Sequence, residues 1–272
     1  MSFTQLRKLQ LIELEILKEV ARICNENGIE YFLDSGTALG AVRHKGFIPW
    51  DDDIDVGMTR ENYNKFLKIA PEKLNKEFFL QTNQTDKQSP YIFAKVRKNN
   101  TVLMKWNKRN LDMHHGIYID IFPYDNIPDD VKERAQYQKK CRKLYRLYLI
   151  RSIPDRSAPQ ENSIKWLVVA VIRRILYYML KIIPFSFMEK WTNNMFQKYN
   201  TVQTEYLTCH MFSKVYFFKR NDLFPLREIT FEDDTFLIVN NIEKYLTDIY
   251  GDYKQLPPKE KRVGHNHYKV QY

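Results

Sequence analysis

Four aspartates, Asp51, Asp52, Asp53 and Asp55, fall within five positions of a 272-residue chain whose formal net charge is +10. In "DIDVGM" polar and apolar residues alternate, so on a strand Asp53, Asp55 and Gly57 face one way and Ile54, Val56 and Met58 the other. Two strand carboxylates two positions apart stand roughly 7 Å from one another on the same side, a spacing that can hold one or two divalent cations. Without a cation they repel, and at least one carboxyl pKa rises. Aspartate runs form strands poorly and do not serve packing. For Asp51 and Asp52 a solvated acidic loop after Pro49 is the competing reading; Asp53 and Asp55 are tied to the edge of a core by Ile54 and Val56.

Just upstream, "LDSGTALGAVRHKG" sets Gly36 and Thr37 at a strand-to-helix turn, where bare backbone N–H groups and a hydroxyl would cradle a phosphate. Alone, such a glycine is usually conformational. In "GIYIDIFPYD" the alternation returns, with Ile117, Ile119 and Ile121 on one face, Tyr118, Asp120 and Phe122 on the other, and Pro123 expected to end the run. By periodicity alone Asp120 is equally an outward residue on an exposed sheet face.

The elements that must carry these residues are legible in outline. Apolar residues at helical spacing (Leu9, Ile12, Ile16, Val20, Ile23) predict a helix over 5–27, closed by Gly28. "IEYFLDSG" reads as a strand broken at Ser35-Gly36, "TALGAVRHKG" as a short helix or turn, and 60–70 as a helix. "FFLQT" and "YIFAKVRKNNTVLMKW" read as strands, the second turning at Asn99-Asn100 as a hairpin. Past Asp130 strand signals stop, and residues 131 to about 205 read as basic helices interrupted at Pro154, Pro159 and Pro184. A strand-like opening at "REITFEDDTFLIV" and a helix ending at Gly251 follow. The expected layout is an α+β catalytic unit made by residues 1–130 and 206–272, with a basic helical insertion over 131–205.

Composition bounds the function class. With 44% hydrophobic and 28% charged residues the chain is an ordinary globular protein. Three scattered cysteines, Cys24, Cys141 and Cys209, suggest neither a disulfide framework nor a structural zinc site, and fit a reducing cytoplasm. The polar start lacks a signal pattern, so a cytoplasmic protein is expected. The positive charge is concentrated: residues 131–220 carry 18 Lys and Arg against 5 Asp and Glu, leaving 25 against 28 elsewhere.

Glycine and threonine at a turn, a spacer, then Asp-x-Asp on the next strand together resemble the nucleotidyltransferase (polymerase β-like) fold, a mixed sheet flanked by helices. There two strand carboxylates bind Mg²⁺ and a third completes the site, which singles out Asp120. The resemblance becomes closer over "SGTALGAVRHKGFIPWDDDIDVGM", "GIYIDIFPYD" and "YLTDIYGDYKQLPP" followed by Lys261-Arg262, which are similar to the signatures of the LicD family of phosphocholine transferases. That resemblance implies Mg²⁺-dependent (or Mn²⁺-dependent) transfer of phosphocholine from CDP-choline to a sugar hydroxyl of a lipid-linked surface glycan such as a teichoic acid precursor, releasing CMP. Some relatives transfer ribitol phosphate, and those with a zinc finger have a cysteine cluster this chain lacks, which points to the bacterial branch.

On this reading Asp53 and Asp55 are Mg²⁺ ligands, and Asp120 a further ligand or the general base. Gly36 and Thr37 hold donor phosphate. Lys95 and Arg97, alternating toward one side of "AKVRKNN", offset charge on the diphosphate, or else are surface cations on an edge strand. Arg43, His44 and Lys45 lie between turn and strand and are phosphate contacts or solvated cations. Trp50 is the first candidate for a cation–π contact with a choline headgroup, with Tyr118 and Phe122 next. Lys261, Arg262, His265 and His267 form a tail that closes over the site, the histidines contacting phosphate or solvent rather than metal.

In the basic middle, "KWLVVAVIRRILYYMLKIIPFSF" is interrupted by Arg173, Arg174 and Lys181 before it reaches a membrane-spanning length. It reads either as a helix lying on the anionic inner face of the plasma membrane, Arg174, Tyr177, Tyr178 and Lys181 sharing a face, or as a buried core helix of the insertion. No nucleic-acid partner is expected, because the apolar run is a poor nucleic-acid surface. The alternatives are a nucleotidyltransferase acting on RNA or a small molecule, or an inactive membrane-associated adaptor.

Overall fold

In a computed structural model of the chain, residues 2–155, 164–265 and 267–272 are described. Pro159 therefore lies outside the described residues. Helix α1 (Phe3–Glu26) begins in a reciprocal capping box, Ser2 Oγ accepting from Gln5 N–H and Gln5 Oε1 from Ser2 N–H. It buries Leu9, Ile16, Val20 and Ile23, all fully excluded from solvent, at the three- and four-residue spacing of one helix face. Gly28, at φ 59°, turns the chain after it.

Strand β1 is short (Phe32–Leu33) and leads at once into α2 (Ser35–His44); β2 (Asp55–Thr59) and α3 (Arg60–Lys73) follow. Next come β3 (Phe78–Gln81), β4 (Ala94–Lys98), β5 (Val102–Met104), a 3-10 turn at Trp106–Lys108 and the long β6 (Tyr118–Ile127). The main sheet runs β1-β2-β6-β4-β3. It is mixed: β2 and β6 are parallel, and the other pairs are antiparallel.

Three expectations are corrected here. Asn99-Asn100 does turn the chain, Asn100 lying at φ 60°, but no hairpin forms: β5 leaves the sheet and pairs with the C-terminal strand. Pro123 does not end β6. The register with β4 stops at Ile121 and that with β7 starts at Asp125, so Pro123 sits between the two partners, where a missing N–H breaks no ladder. Nor is β4 an edge strand, for it lies between β3 and β6.

Three helices follow, α4 (Val131–Ser152), α5 (Ile164–Leu180) and α6 (Phe185–Phe196). Helices α4 and α6 share a second apolar core with the distal end of β6, built on Ile127, Tyr137, Leu144, Tyr148, Met188 and Phe196. Helix α5 buries none of its residues among the described ones, so it is not a core helix. The chain then returns to the sheet through β7 (Tyr206–Thr208), which pairs with β6, and β8 (Phe218–Lys219). Helix α7 (Arg220–Leu223), the hairpin β9 (Arg227–Phe231) and β10 (Asp234–Ile238), and α8 (Ile242–Tyr250), capped at Gly251, come next. A 3-10 turn at Lys259–Lys261 precedes β11 (Lys269–Gln271), the partner of β5.

Candidate active site

The aspartate segment is stitched to the start of α2 by two backbone contacts. Asp34 N–H donates to Asp55 O at 3.0 Å, and Asp55 N–H donates to Thr37 Oγ1 at 2.9 Å. Ile54, Val56 and Met58 are fully buried behind the strand, which leaves the carboxylates on its other side. A cleft of about 940 Å³ opens there, lined among others by Gly36, Trp50, Asp51, Asp53, Asp55 and Arg262. Asp120 does not line it; it lies directly across from Asp55 in the β2–β6 register.

Burial and crowding of like charge set the electrostatics. Burial, then Asp53 and Asp120, hold the Asp55 carboxyl well above its ordinary value. Burial raises Asp53 too, against the pull of His265 and Lys105. Asp51 is raised by burial and by Asp53 and Asp52. Asp52 behaves in the opposite sense. Burial pushes it up, but hydrogen bonds from His265 and His267 outweigh that and leave it below the usual carboxylate range.

Those histidines are the main departure from the sequence reading. His265 N–H and Nδ1 each lie 2.8 Å from Asp52, and His267 Nε2 lies 2.6 Å from it. The tail does close over the acids: both histidines are engaged by Asp52, His267 buried at 5% exposure and His265 still 52% exposed, and Asp52 is no solvated loop residue but 1% exposed. Among the described residues, the donor atoms near enough to one another for a single cation belong to Asp52, Asp53 and His265. Asp53, Asp55 and Asp120 are not drawn together to that degree among the described residues, and Lys95 Nζ takes an Asp120 oxygen.

The remaining predicted residues divide. Gly36 borders the cleft, and a Cβ there would meet the Asp51 carboxylate at 2.9 Å. Thr37 is buried, its hydroxyl accepting from Asp55 N–H. Lys95 is 1% exposed, its ammonium against Asp120 and 3.6, 4.2 and 5.2 Å from the ring centroids of Tyr118, Tyr91 and Phe93. Burial lowers its pKa to about 8 in spite of Asp120. Arg97 is also buried; it gives Nε to Gln81 at 2.6 Å and an Nη to the Gly116 carbonyl at 2.5 Å, so it faces no cleft. The reason is the interior position of β4. Arg43 donates to the Tyr253 carbonyl and to His44. Trp50 is covered by Arg262, whose guanidinium carbon is 5.4 Å from the ring centroid. Lys261 does not line the cleft.

Sequence reasoning missed Lys108 and Asp34. Lys108 Nζ lies 2.5 Å from Tyr91 Oη, and burial, then Lys105, lowers its pKa to about 7. The spacing of "KWNK" carried no signal for this. Asp34, fully buried, accepts hydrogen bonds from the hydroxyls of Tyr124 and Tyr245, and burial lifts its pKa to about 6. A second cavity of about 810 Å³ lies at the other end of β2 and β6, around Arg60 and Asn126. Its central charges are already matched, Arg60 meeting both oxygens of Asp125 at 2.8 Å.

Comparison with known proteins bears on the whole arrangement. The family described as LicD/FKTN/FKRP, nucleotidyltransferase domain, matches residues 28–150, a span that includes Asp53, Asp55 and Asp120. The lipopolysaccharide cholinephosphotransferase LicD of Haemophilus influenzae is 30% identical over 268 residues, covering 96% of each chain. Shorter matches are the human ribitol 5-phosphate transferase FKRP, 42% identical over 53 residues (18% of this chain and 11% of that one), and the human ribitol-5-phosphate transferase FKTN, 34% over 56 residues (21% and 12%).

Proposed function

Given that the chain belongs to the LicD family, we propose that it is a phosphocholine transferase, moving phosphocholine from CDP-choline to a sugar hydroxyl of a lipid-linked surface glycan such as a teichoic acid precursor. The observation that carries this is the full-length likeness to a cholinephosphotransferase combined with two acids, Asp53 and Asp55, bordering one cleft. A polymerase β-like arrangement of the mixed sheet is part of the same reading.

The acceptor oxygen attacks the choline-bearing phosphorus; the bond from that phosphorus to the oxygen shared with CMP breaks, and CMP leaves with the electron pair. The hydroxyl proton passes to a carboxylate, for which Asp120 is the candidate when it is not a metal ligand. Asp53 and Asp55 offer only oxygen donors at the cleft, which suits a hard divalent cation such as Mg²⁺. Asp53 and Asp55 would hold it, and it would neutralise charge building on the diphosphate. Asp120 would join after parting from Lys95, whose ammonium is then free to face the donor. Arg262, bordering the cleft above Trp50, is the cation available to the leaving phosphate.

A separate observation favours contact with the inner face of an anionic membrane. Helix α5 exposes Leu167, Val171, Ile172 and Ile175 at 50% or more of their surface in the most basic part of the chain, and no helix of the described residues is long and apolar enough to cross a bilayer.

Calorimetric titration of CDP-choline, with CTP and CDP-ribitol as controls, into wild type and Asp55→Asn tests the proposal. Mg²⁺-dependent binding of CDP-choline alone, lost in the variant, is the expected result. Tighter binding of CTP would favour a nucleotidyltransferase, and metal-independent binding unchanged in the variant would favour an inactive adaptor; either overturns the assignment.

A further inference from the structure

Glu13 is an anomaly in the middle of α1. It is fully excluded from solvent, and among the described residues it is the one carboxylate whose two oxygens are both buried without a hydrogen-bond partner. Buried polar groups are almost always hydrogen-bonded, so an unmet one generally awaits an ion, a water or a ligand.

Its neighbours say what is missing. One turn earlier on the same face, Gln10 donates Nε2 to the carbonyls of Asp51 at 2.9 Å and Ile48 at 3.5 Å, fastening this side of α1 to the aspartate segment. The groups that act on Glu13 through space are Asp53, Asp52, Asp51 and Asp120, with no cation among them. An acid from a different element has thus been brought, on a helix face fastened to the aspartate segment, to a place where the carboxylates of that segment and Asp120 repel it. Packing alone would favour leucine there.

We propose that Glu13 belongs to the divalent-cation site, accepting a hydrogen bond from water carried on the cation that Asp53 and Asp55 hold. The inference rests on the divalent-cation reading of those two aspartates and adds to it a positioning residue from the N-terminal helix. Small hard cations keep part of their water shell, and groups that hold the outer ligands typically change metal affinity by about 10- to 100-fold.

The test is Mn²⁺ titration of the full chain, followed by calorimetry and by the free-ion spin-resonance signal, for wild type, Glu13→Gln, Glu13→Asp and Asp55→Asn. Glu13→Gln keeps the shape and removes the charge; its Mn²⁺ affinity is expected to fall about tenfold or more, with the melting temperature in chelator unchanged or higher. Glu13→Asp, which keeps the charge, is expected to lose less, and it serves as the readout if the glutamine variant fails to fold. Affinity within twofold of wild type in both Glu13 variants, with Asp55→Asn having lost the ion, overturns the inference and leaves the site reading intact. Failure of wild type to bind Mn²⁺ overturns both.

Discussion

Asp55 and Asp120 stand opposite one another on the parallel strands β2 and β6, yet Asp120 is already engaged, by Lys95 from the antiparallel strand on its other side. The third acid is therefore contested between a lysine and whatever cation enters the cleft.

Lys95→Met separates the two claims. Removing one partner of a buried pair leaves the other unpaired, at about 3 kcal/mol, so the variant is expected to melt lower in chelator and to regain most of that loss with Mn²⁺. Thermal unfolding with and without Mn²⁺ measures it. A variant that is destabilised equally in both conditions would mean that Asp120 does not reach the ion.

Asp52 is expected to act as the anchor of the C-terminal tail. Asp52→Asn keeps the shape but weakens three hydrogen bonds at once, a loss of roughly 2–3 kcal/mol. Hydrogen exchange and limited proteolysis should show 255–265 opening while α1 and β6 stay protected. Unchanged protection of that stretch would contradict the anchoring role.

His210 predicts a pH dependence far from the acids. It is 2% exposed and stacked on Phe196 at 4.4 Å, and burial lowers its pKa to about 4 from the ordinary 6.5. Between those values the unfolded chain binds a proton that the folded chain refuses. Stability therefore falls as pH drops from about 6.5 to about 4, by up to ~3 kcal/mol from this group, and is intact above that window. Denaturant unfolding of wild type and His210→Phe across that range should give curves that coincide above pH 6.5, once the constant cost of the substitution is removed, and separate as pH falls, the wild type alone losing stability.

The membrane contact makes a surface prediction. Leu167 and Ile175 are 57% and 54% exposed, so Leu167→Glu with Ile175→Glu should leave folding and Mn²⁺ binding unaltered. Sedimentation with vesicles of phosphatidylglycerol and phosphatidylcholine should fall at least tenfold for the double variant and weaken with salt for wild type. Equal sedimentation of both would remove α5 from any lipid contact.

What could be read from the sequence was what local periodicity controls. Ile54, Val56 and Met58 marked the buried side of β2, and the stripe on α1 marked its core face, because burial follows the two- and 3.6-residue repeats. What could not be read depended on distant partners. The turn at Asn100 was visible, but the partner that β5 takes instead of β4, β11, lies 165 to 169 positions away, a long-range pairing that no local pattern encodes. Arg97 alternates as a surface cation would, and only the presence of strands on both sides of β4 makes it interior. Asp52 looked like its neighbours until His265, 213 positions on, singled it out.

That separation has a consequence for the order of synthesis. The aspartates leave the ribosome early, whereas the histidines that fix Asp52 emerge 213 and 215 positions later, and Tyr245, which binds the Asp34 carboxylate at the root of α2, 211 positions after it. A nascent chain thus carries these aspartates unclasped for most of its elongation, and a premature stop anywhere in the last helices yields a protein with Asp52, Asp53, Asp55 and Asp120 present and the cleft unfinished.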